Sequence, residues 1–134
     1  MGYEFEDKEL TEAIIGCAMR VHSKLGCGFQ EVIYQRGLAI ELRRLSINFE
    51  REFEMPIDYD DENIGSRRVD FLIENRISVE LKALVELEDI HLAQAKNYLE
   101  AYKLRVGLLI NFGGKRLEFR RLINSKAPHR RELK

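Results

Sequence analysis

Three charged residues interrupt otherwise apolar stretches: Asp70 within Arg68-Val69-Asp70-Phe71-Leu72-Ile73, and Glu80 and Lys82 within Ser78-Val79-Glu80-Leu81-Lys82. Side chains of an extended chain alternate faces, so Val69, Phe71 and Ile73 are expected on one face and Asp70 on the other. On the second stretch Val79 and Leu81 share one face. Ser78, Glu80 and Lys82 share the opposite one, with Glu80 and Lys82 about 6.6 Å apart along the strand. If Asp70 lies on that face too, two carboxylates and an ammonium meet on adjacent strands. Carboxylates so placed can hold a hard divalent cation through oxygen, Mg²⁺ keeping several of its waters. The lysine can then orient or deprotonate a water, or stabilise negative charge on a phosphoryl group. The competing reading is a surface hairpin whose charges are solvated, with Lys82 bridged to Glu80 or Asp70. Position argues for the first reading, because strands this apolar belong centrally in a sheet, where unpaired charges are costly.

The elements that must position these residues follow from hydrophobic period. Ile14, Ala18, Val21 and Leu25 recur at helical spacing and predict a helix from Leu10 to Leu25 capped by Thr11, broken by Gly26-Cys27-Gly28. A second helix is predicted over Gln30–Leu45, with Val32, Ile33, Leu38, Leu42 and Leu45 as its buried stripe. Asn48 to Met55 then alternates as a strand that Pro56 ends, and Asp58 to Ser66 reads as a turn region. Strands are predicted over 67–73 and 76–81 around a Glu74-Asn75 turn, and a helix from Asp89 to about Lys103, with Ile90 among its apolar positions. Arg105 to Asn111 is a nearly continuous apolar run, as in a strand buried on both faces, and Gly113-Gly114 turns into a last strand, 115–123. The order α-α-β-β-β-α-β-β, a meander followed by a helical crossover, defines an α/β class with a mixed sheet flanked by helices.

The chain has 134 residues, 45% hydrophobic and 34% charged, with a formal net charge of −1. That is enough for one core without a disulfide or structural metal, and it excludes both disorder and a generally basic nucleic-acid coat. One domain is expected over 1–134, with a core of about 8–123 and a frayed tail, 124–134. No apolar run approaches a membrane span, and the acidic start, MGYEFEDKEL, is not expected to be a secretory signal. Cys17 and Cys27 lack the spacing of a zinc site and are expected as reduced thiols in the cytoplasm. His22 and His91 are expected at the surface or half-buried. The net charge hides an asymmetry: residues 103–134 carry ten basic and two acidic side chains, against twelve and twenty-one before them. A basic C-terminal quarter can dock a phosphate backbone or simply guard an exposed strand edge.

Taken together, Asp70, Glu80 and Lys82 on a meander between a helix and a crossover helix resemble the PD-(D/E)XK nuclease superfamily. Gly28-Phe29-Gln30-Glu31-Val32-Ile33-Tyr34 is similar to the signature of its GxxExxY branch, as are Gln94 with Asn97-Tyr98-Leu99 and the run Val106 to Gly113. The resemblance covers roughly residues 8 to 123 and implies a restriction-endonuclease-like fold. It implies that Asp70 and Glu80 are the principal metal ligands with the Leu81 carbonyl beside them, and that Glu31 points to the same site from the first core helix. Lys82 would be the catalytic lysine, and Gln94 would sit on the phosphate-binding side. Val69 stands where the superfamily name has proline, a position with no ligand. The implied activity is phosphodiester hydrolysis with Mg²⁺ or Mn²⁺. The implied partner is nucleic acid, DNA ahead of RNA, with room for a homodimer and no membrane. A non-catalytic nucleic-acid-binding or regulatory module on the same fold is the alternative. Tyr34 is expected to pack or hydrogen-bond rather than react.

Arg116, Arg120 and Arg121, with Lys96 on the crossover helix, are the candidate nucleic-acid contacts. Replacing the three arginines with alanine should weaken binding and flatten the salt dependence by roughly one unit for each phosphate no longer neutralised, with little change in metal affinity. Titrations at several salt concentrations check this, and an unchanged slope would move the binding face toward Arg67, Arg68 and Lys96.

Overall fold

A computed structural model of the chain describes residues 3–127, with side chains from Asp7 onward. Its elements run α1 (Tyr3–Leu25), α2 (Glu31–Arg44), β1 (Phe49–Tyr59), β2 (Glu62–Ile73), β3 (Ile77–Lys82), α3 (Asp89–Tyr102), β4 (Val106–Asn111) and β5 (Glu118–Ile123). The five strands form one mixed sheet in the order β1-β2-β3-β4-β5. All neighbours are antiparallel except β3 and β4, which pair in parallel across the α3 crossover. This is the restriction-endonuclease-like α/β architecture expected from the order of elements.

Two helices cover one face. Ile14, Cys17, Ala18 and Val21 of α1 and Tyr34, Leu38, Ala39 and Leu42 of α2 pack on Phe71, Ile73, Val79, Leu81, Leu108 and Ile110. Tyr34 sits in this layer, fully buried, its ring stacked 4.7 Å from that of Phe112 and its hydroxyl donating to Gly26 O at 2.6 Å. Its role is packing, and the buried stripe of α2 runs through it rather than through Leu45, which is exposed. On the other face α3 contributes Tyr102, packed with Met55, Val69 and Leu72. Gly107 lets α3 come close, since a Cβ there would stand 2.9 Å from Ser78 Oγ and 3.1 Å from Leu99. Ile90, one of the apolar positions expected of this helix, is exposed at the start of α3.

Several boundaries differ from expectation for local reasons. α1 begins before Leu10, and Thr11 lies inside it, its hydroxyl bonded back to Lys8 O rather than capping. Asp7 of that added turn is buried against Arg76 at 3.1 Å, tying α1 to the β2–β3 turn. Pro56 does not end β1, because β1 is an edge strand and a missing N–H can face outward. The expected turn region shrinks to Asp60-Asp61, both at positive φ as a two-residue hairpin requires, and β2 and β3 are joined by three residues, Glu74–Arg76, of which Glu74 and Asn75 have positive φ. The start of the expected frayed tail is fastened: Asn124 N–H donates to Arg105 O, and Arg105 donates to Ala127 O. The rest, 128–134, lies outside the described residues.

Between the two helices, buried Glu41 accepts Arg20 at 3.1 Å and faces Lys24 at 3.6 Å and Arg44 at 3.2 Å. The Arg20 hydrogen bond, opposed by burial and aided by the other cations, holds its pKa below the ordinary glutamate value. A carboxyl lowered on folding adds stability above its unfolded pKa and loses it as pH falls through the folded one. Glu41→Gln should therefore lower the urea midpoint at neutral pH, and the gap to wild type should close in acid below the glutamate range. A gap independent of pH would deny the cluster its electrostatic role.

Candidate active site

The site forms where β2 and β3 part. Their pairing runs from Ile73 opposite Ile77 to Phe71 opposite Val79 and stops before Asp70 and Glu80. Asp70 fills the gap: its Oδ2 accepts the Leu81 N–H at 2.7 Å, and its Oδ1 accepts Gln35 Nε2 of α2 at 2.9 Å. The partner strand is irregular at the same level. Arg51 pairs with Phe71 and Phe53 with Val69, while Glu52, between them, has φ 51°. A left-handed residue without glycine's freedom costs roughly 1–2 kcal/mol. It accompanies a change of face: Phe71 and Ile73 lie against α1 and α2, whereas Val69 packs with Tyr102 of α3. The expected common face for Val69, Phe71 and Ile73 is thus broken at Asp70.

On β3 the alternation holds. Val79 and Leu81 face α1 and α2, and Glu80 faces α3. Glu80 is buried, its Oε2 accepting Arg67 Nη1 at 2.7 Å and the Tyr102 hydroxyl at 3.3 Å. The Arg67 guanidinium lies 4.1 Å from the centroid of the Tyr98 ring, which stacks on Tyr102. Burial raises the pKa of Glu80 against the pull of Arg67, with the Asp70 charge adding to the rise. Burial likewise raises Asp70, opposed by the Leu81 N–H, Gln35, Arg67 and Lys82. Tyr102 is pushed up to about 12, chiefly by burial. Burial alone would lower Arg67, but its bonds to Glu80 and Tyr102 reverse this and hold it above the ordinary arginine value.

Glu31 stands at the first turn of α2. Desolvation of its carboxyl and the Asp70 charge raise its pKa, while the Lys82 ammonium and the Ala83 N–H oppose the rise. Glu31, Asp70, Glu80 and Lys82 therefore belong to one electrostatic neighbourhood. Asp70 and Glu80, expected to share a cation with Glu31, each keep a partner of their own. Among the described residues, no three His, Cys, Asp or Glu side chains are grouped so as to hold a metal ion. The physical reason is that each carboxylate has its own tether: Asp70 to α2 through Gln35, Glu80 to Arg67 and Tyr102 on the α3 side.

Gln94 joins Arg67, Glu80, Lys82, His91 and Tyr98 in lining a cleft between α3 and the sheet. Lys96, two residues on, is exposed and is not part of that lining. Register separates the arginines. Glu80 pairs with Leu109 and Leu109 with Arg120, placing Arg120 in the same cross-strand row as Glu80. Arg121 lies opposite Leu108 and so faces the α1–α2 side, while Arg116 is exposed in the turn before β5. The trio does not form one patch.

Sequence reasoning missed Gln35 and Tyr102, and named Arg67 only as an alternative nucleic-acid contact. Gln35 follows Glu31 by one helical turn, a spacing that places both on one side of α2. Arg67 and Tyr102 carry no local signal, because only the tertiary fold brings them to Glu80. Asn111, opposite Lys82 on β4, fastens the loop after β3: fully buried, it accepts Leu84 and Gly113 N–H and donates to Leu84 O and Glu118.

A parted strand pair with one buried and one half-buried carboxylate and a following lysine, beside a cleft with a crossover helix, defines a restriction-endonuclease-like site. The chain belongs to the PD-(D/E)XK nuclease superfamily, whose family model matches residues 8–122. The chain is also similar to the crystal structure of SSO0001, with 21% identity and a TM-score of 0.53. That similarity covers 98% of this chain and 62% of the other, and it speaks to the fold. No curated protein matches the chain. No helix among the described residues is long and apolar enough to cross a membrane.

Gln35→Leu should destabilise the metal-free protein by about 1–3 kcal/mol, because the half-buried Asp70 carboxylate loses a donor. Urea denaturation measures this, and an unchanged midpoint would mean that Asp70 is not held from α2.

Proposed function

We propose that this chain is a metal-dependent nuclease of the GxxExxY branch that hydrolyses phosphodiester bonds, DNA ahead of RNA. The observation that carries the reading is the placing of Asp70 and Glu80 just beyond the point where β2 and β3 part, with Lys82 next on the Glu80 face of β3. The superfamily generally works with divalent metals, and the donors present are hard oxygens, which suit Mg²⁺ or Mn²⁺ rather than a thiolate-loving ion. Asp70 and Glu80 would hold the cation, helped by the Leu81 carbonyl and approached by Glu31. Two carboxylates suffice for Mg²⁺, which keeps water and substrate phosphate as its remaining ligands. Gln35 supports the fit, since its Oε1 is buried without a partner on the same amide that holds Asp70. When bound, the cation would supply charge neutralisation at the phosphate and a more acidic water.

The chain's own groups then have separate tasks. Lys82, without a salt bridge among the described residues, has its ammonium available to orient the attacking water or to steady charge on the phosphoryl oxygens. Gln94, on the wall of the cleft, can donate its amide to a phosphate oxygen. Arg120, exposed in the cross-strand row of Glu80, is the arginine of its trio best placed to meet a backbone lying along the cleft. Two free thiols, Cys17 and Cys27, suit a reducing compartment and support a cytoplasmic setting.

Lys82→Ala should lower cleavage by about 10²–10⁴-fold while leaving the fold and metal binding largely intact. The assay is single-turnover cleavage of labelled DNA and RNA with Mg²⁺ or Mn²⁺, run beside Asp70→Ala. Full activity in the Lys82 variant would remove the lysine from the reaction. No cleavage by wild type on any substrate would turn the reading toward a binding module.

A further inference from the structure

Arg67 occupies an unusual place for a cation. It stands on β2 three residues before Asp70, yet its guanidinium reaches Glu80 on β3 at 2.7 Å. Its charge-assisted bond falls on the same carboxylate that the proposed function assigns to a divalent cation. It is held there by the Tyr102 hydroxyl at 3.3 Å and by the face of Tyr98 at 4.1 Å, and its side chain is only 29% exposed. Among the described residues, the Glu80 carboxylate makes no salt bridge to Lys82, the cation on its own strand and face. A buried carboxylate with a half-buried one a strand away needs a counter-charge, and a guanidinium clamped between an aromatic face and a phenol supplies it at fixed geometry.

We propose that Arg67 is an internal counter-ion that competes with the divalent cation for Glu80, so that loading the site requires Arg67 to release that carboxylate. The inference rests on the nuclease reading of the site. Tyr98 and Tyr102 fit the role: the aromatic face attracts the guanidinium with or without Glu80, and so gives it a place to remain once the carboxylate turns to the ion. Gln35 and the Leu81 N–H hold Asp70 independently, so only one of the two carboxylates has to exchange partners. Arg67 acts here as a positioning residue, setting how tightly the ion binds.

The test measures Mn²⁺ binding to the metal-free protein by electron paramagnetic resonance, with circular dichroism to confirm folding. Arg67→Met keeps much of the packing on Tyr98 but removes the competitor, and it should bind Mn²⁺ at least tenfold more tightly than wild type. Glu80→Gln should weaken binding at least tenfold. In the Arg67→Met/Glu80→Gln double variant, the gain from removing Arg67 should vanish. Wild type supplies a readout that needs no substitution: the Arg67 Nε–Hε resonance should shift on titration with Mg²⁺, and fail to shift in Glu80→Gln. Unchanged or weaker Mn²⁺ binding in Arg67→Met, with Glu80→Gln still weakened, would overturn the competition while leaving the metal site standing. Unchanged binding in Glu80→Gln would overturn the metal site itself, and the competition with it. An Arg67 resonance indifferent to Mg²⁺ in a protein that binds the ion would also overturn the proposal.

Discussion

The Leu81 N–H donates to a side chain where a sheet would ordinarily supply a carbonyl. That substitution, Asp70 Oδ2 at 2.7 Å, marks where β2 and β3 part. Backbone donors in a sheet must be satisfied, so two strands can diverge only if something else takes the orphaned groups. A carboxylate does so with a stronger, charge-assisted bond than a carbonyl, at the cost of bringing a negative charge into a half-buried layer. The other features of the site follow from that charge. Gln35 comes from one helical layer to share Asp70, and Glu80 lies near enough that the Asp70 charge disfavours its ionisation.

Seen as charge balance, the interior tolerates Asp70 and Glu80 through dipoles on one side and a guanidinium on the other. A buried carboxylate stripped of its partner costs far more than the pair contributes, so Arg67 and Glu80 are constrained together. Tyr98 and Tyr102 extend the constraint to α3, whose close approach depends on the bare backbone of Gly107. Asn111 does comparable work at the end of β4, holding the loop after β3 by both its carbonyl and its amide. Gly113 is required beside it, since a Cβ would collide with the backbone of Ala83 and Leu84.

Much of this is legible in the amino-acid order. Hydrophobic period gives the sequence of elements, the parallel β3–β4 crossover and the opposed faces of Val79 and Glu80, because those depend on local repeat and burial alone. What depends on edge position is not legible: Pro56 is harmless on an outer strand, and a one-dimensional pattern does not show which strand is outer. The break in alternation at Asp70 is invisible for a related reason, since the irregularity sits on Glu52, in the neighbouring strand. In the sequence Arg67 is one of several arginines in a charged stretch. Its pairing with Glu80 across 13 positions and with Tyr102 across 35 is a product of the tertiary fold. The expected cluster of three carboxylates assumes that acidic side chains meet whenever their strands do, and it leaves out the competing partners that each one finds.

The parallel register of β3 and β4 has a kinetic corollary. Ile77 meets Val106 only after the whole α3 crossover has been laid down, a pairing whose loop must close before its contacts repay the entropy. The site borrows from α2 at one end and α3 at the other, so no shorter stretch of chain contains all its parts. A chain still emerging from the ribosome would present Asp70 and Glu80 without the helix that aligns them. In such a design the site is assembled only with completion of the fold.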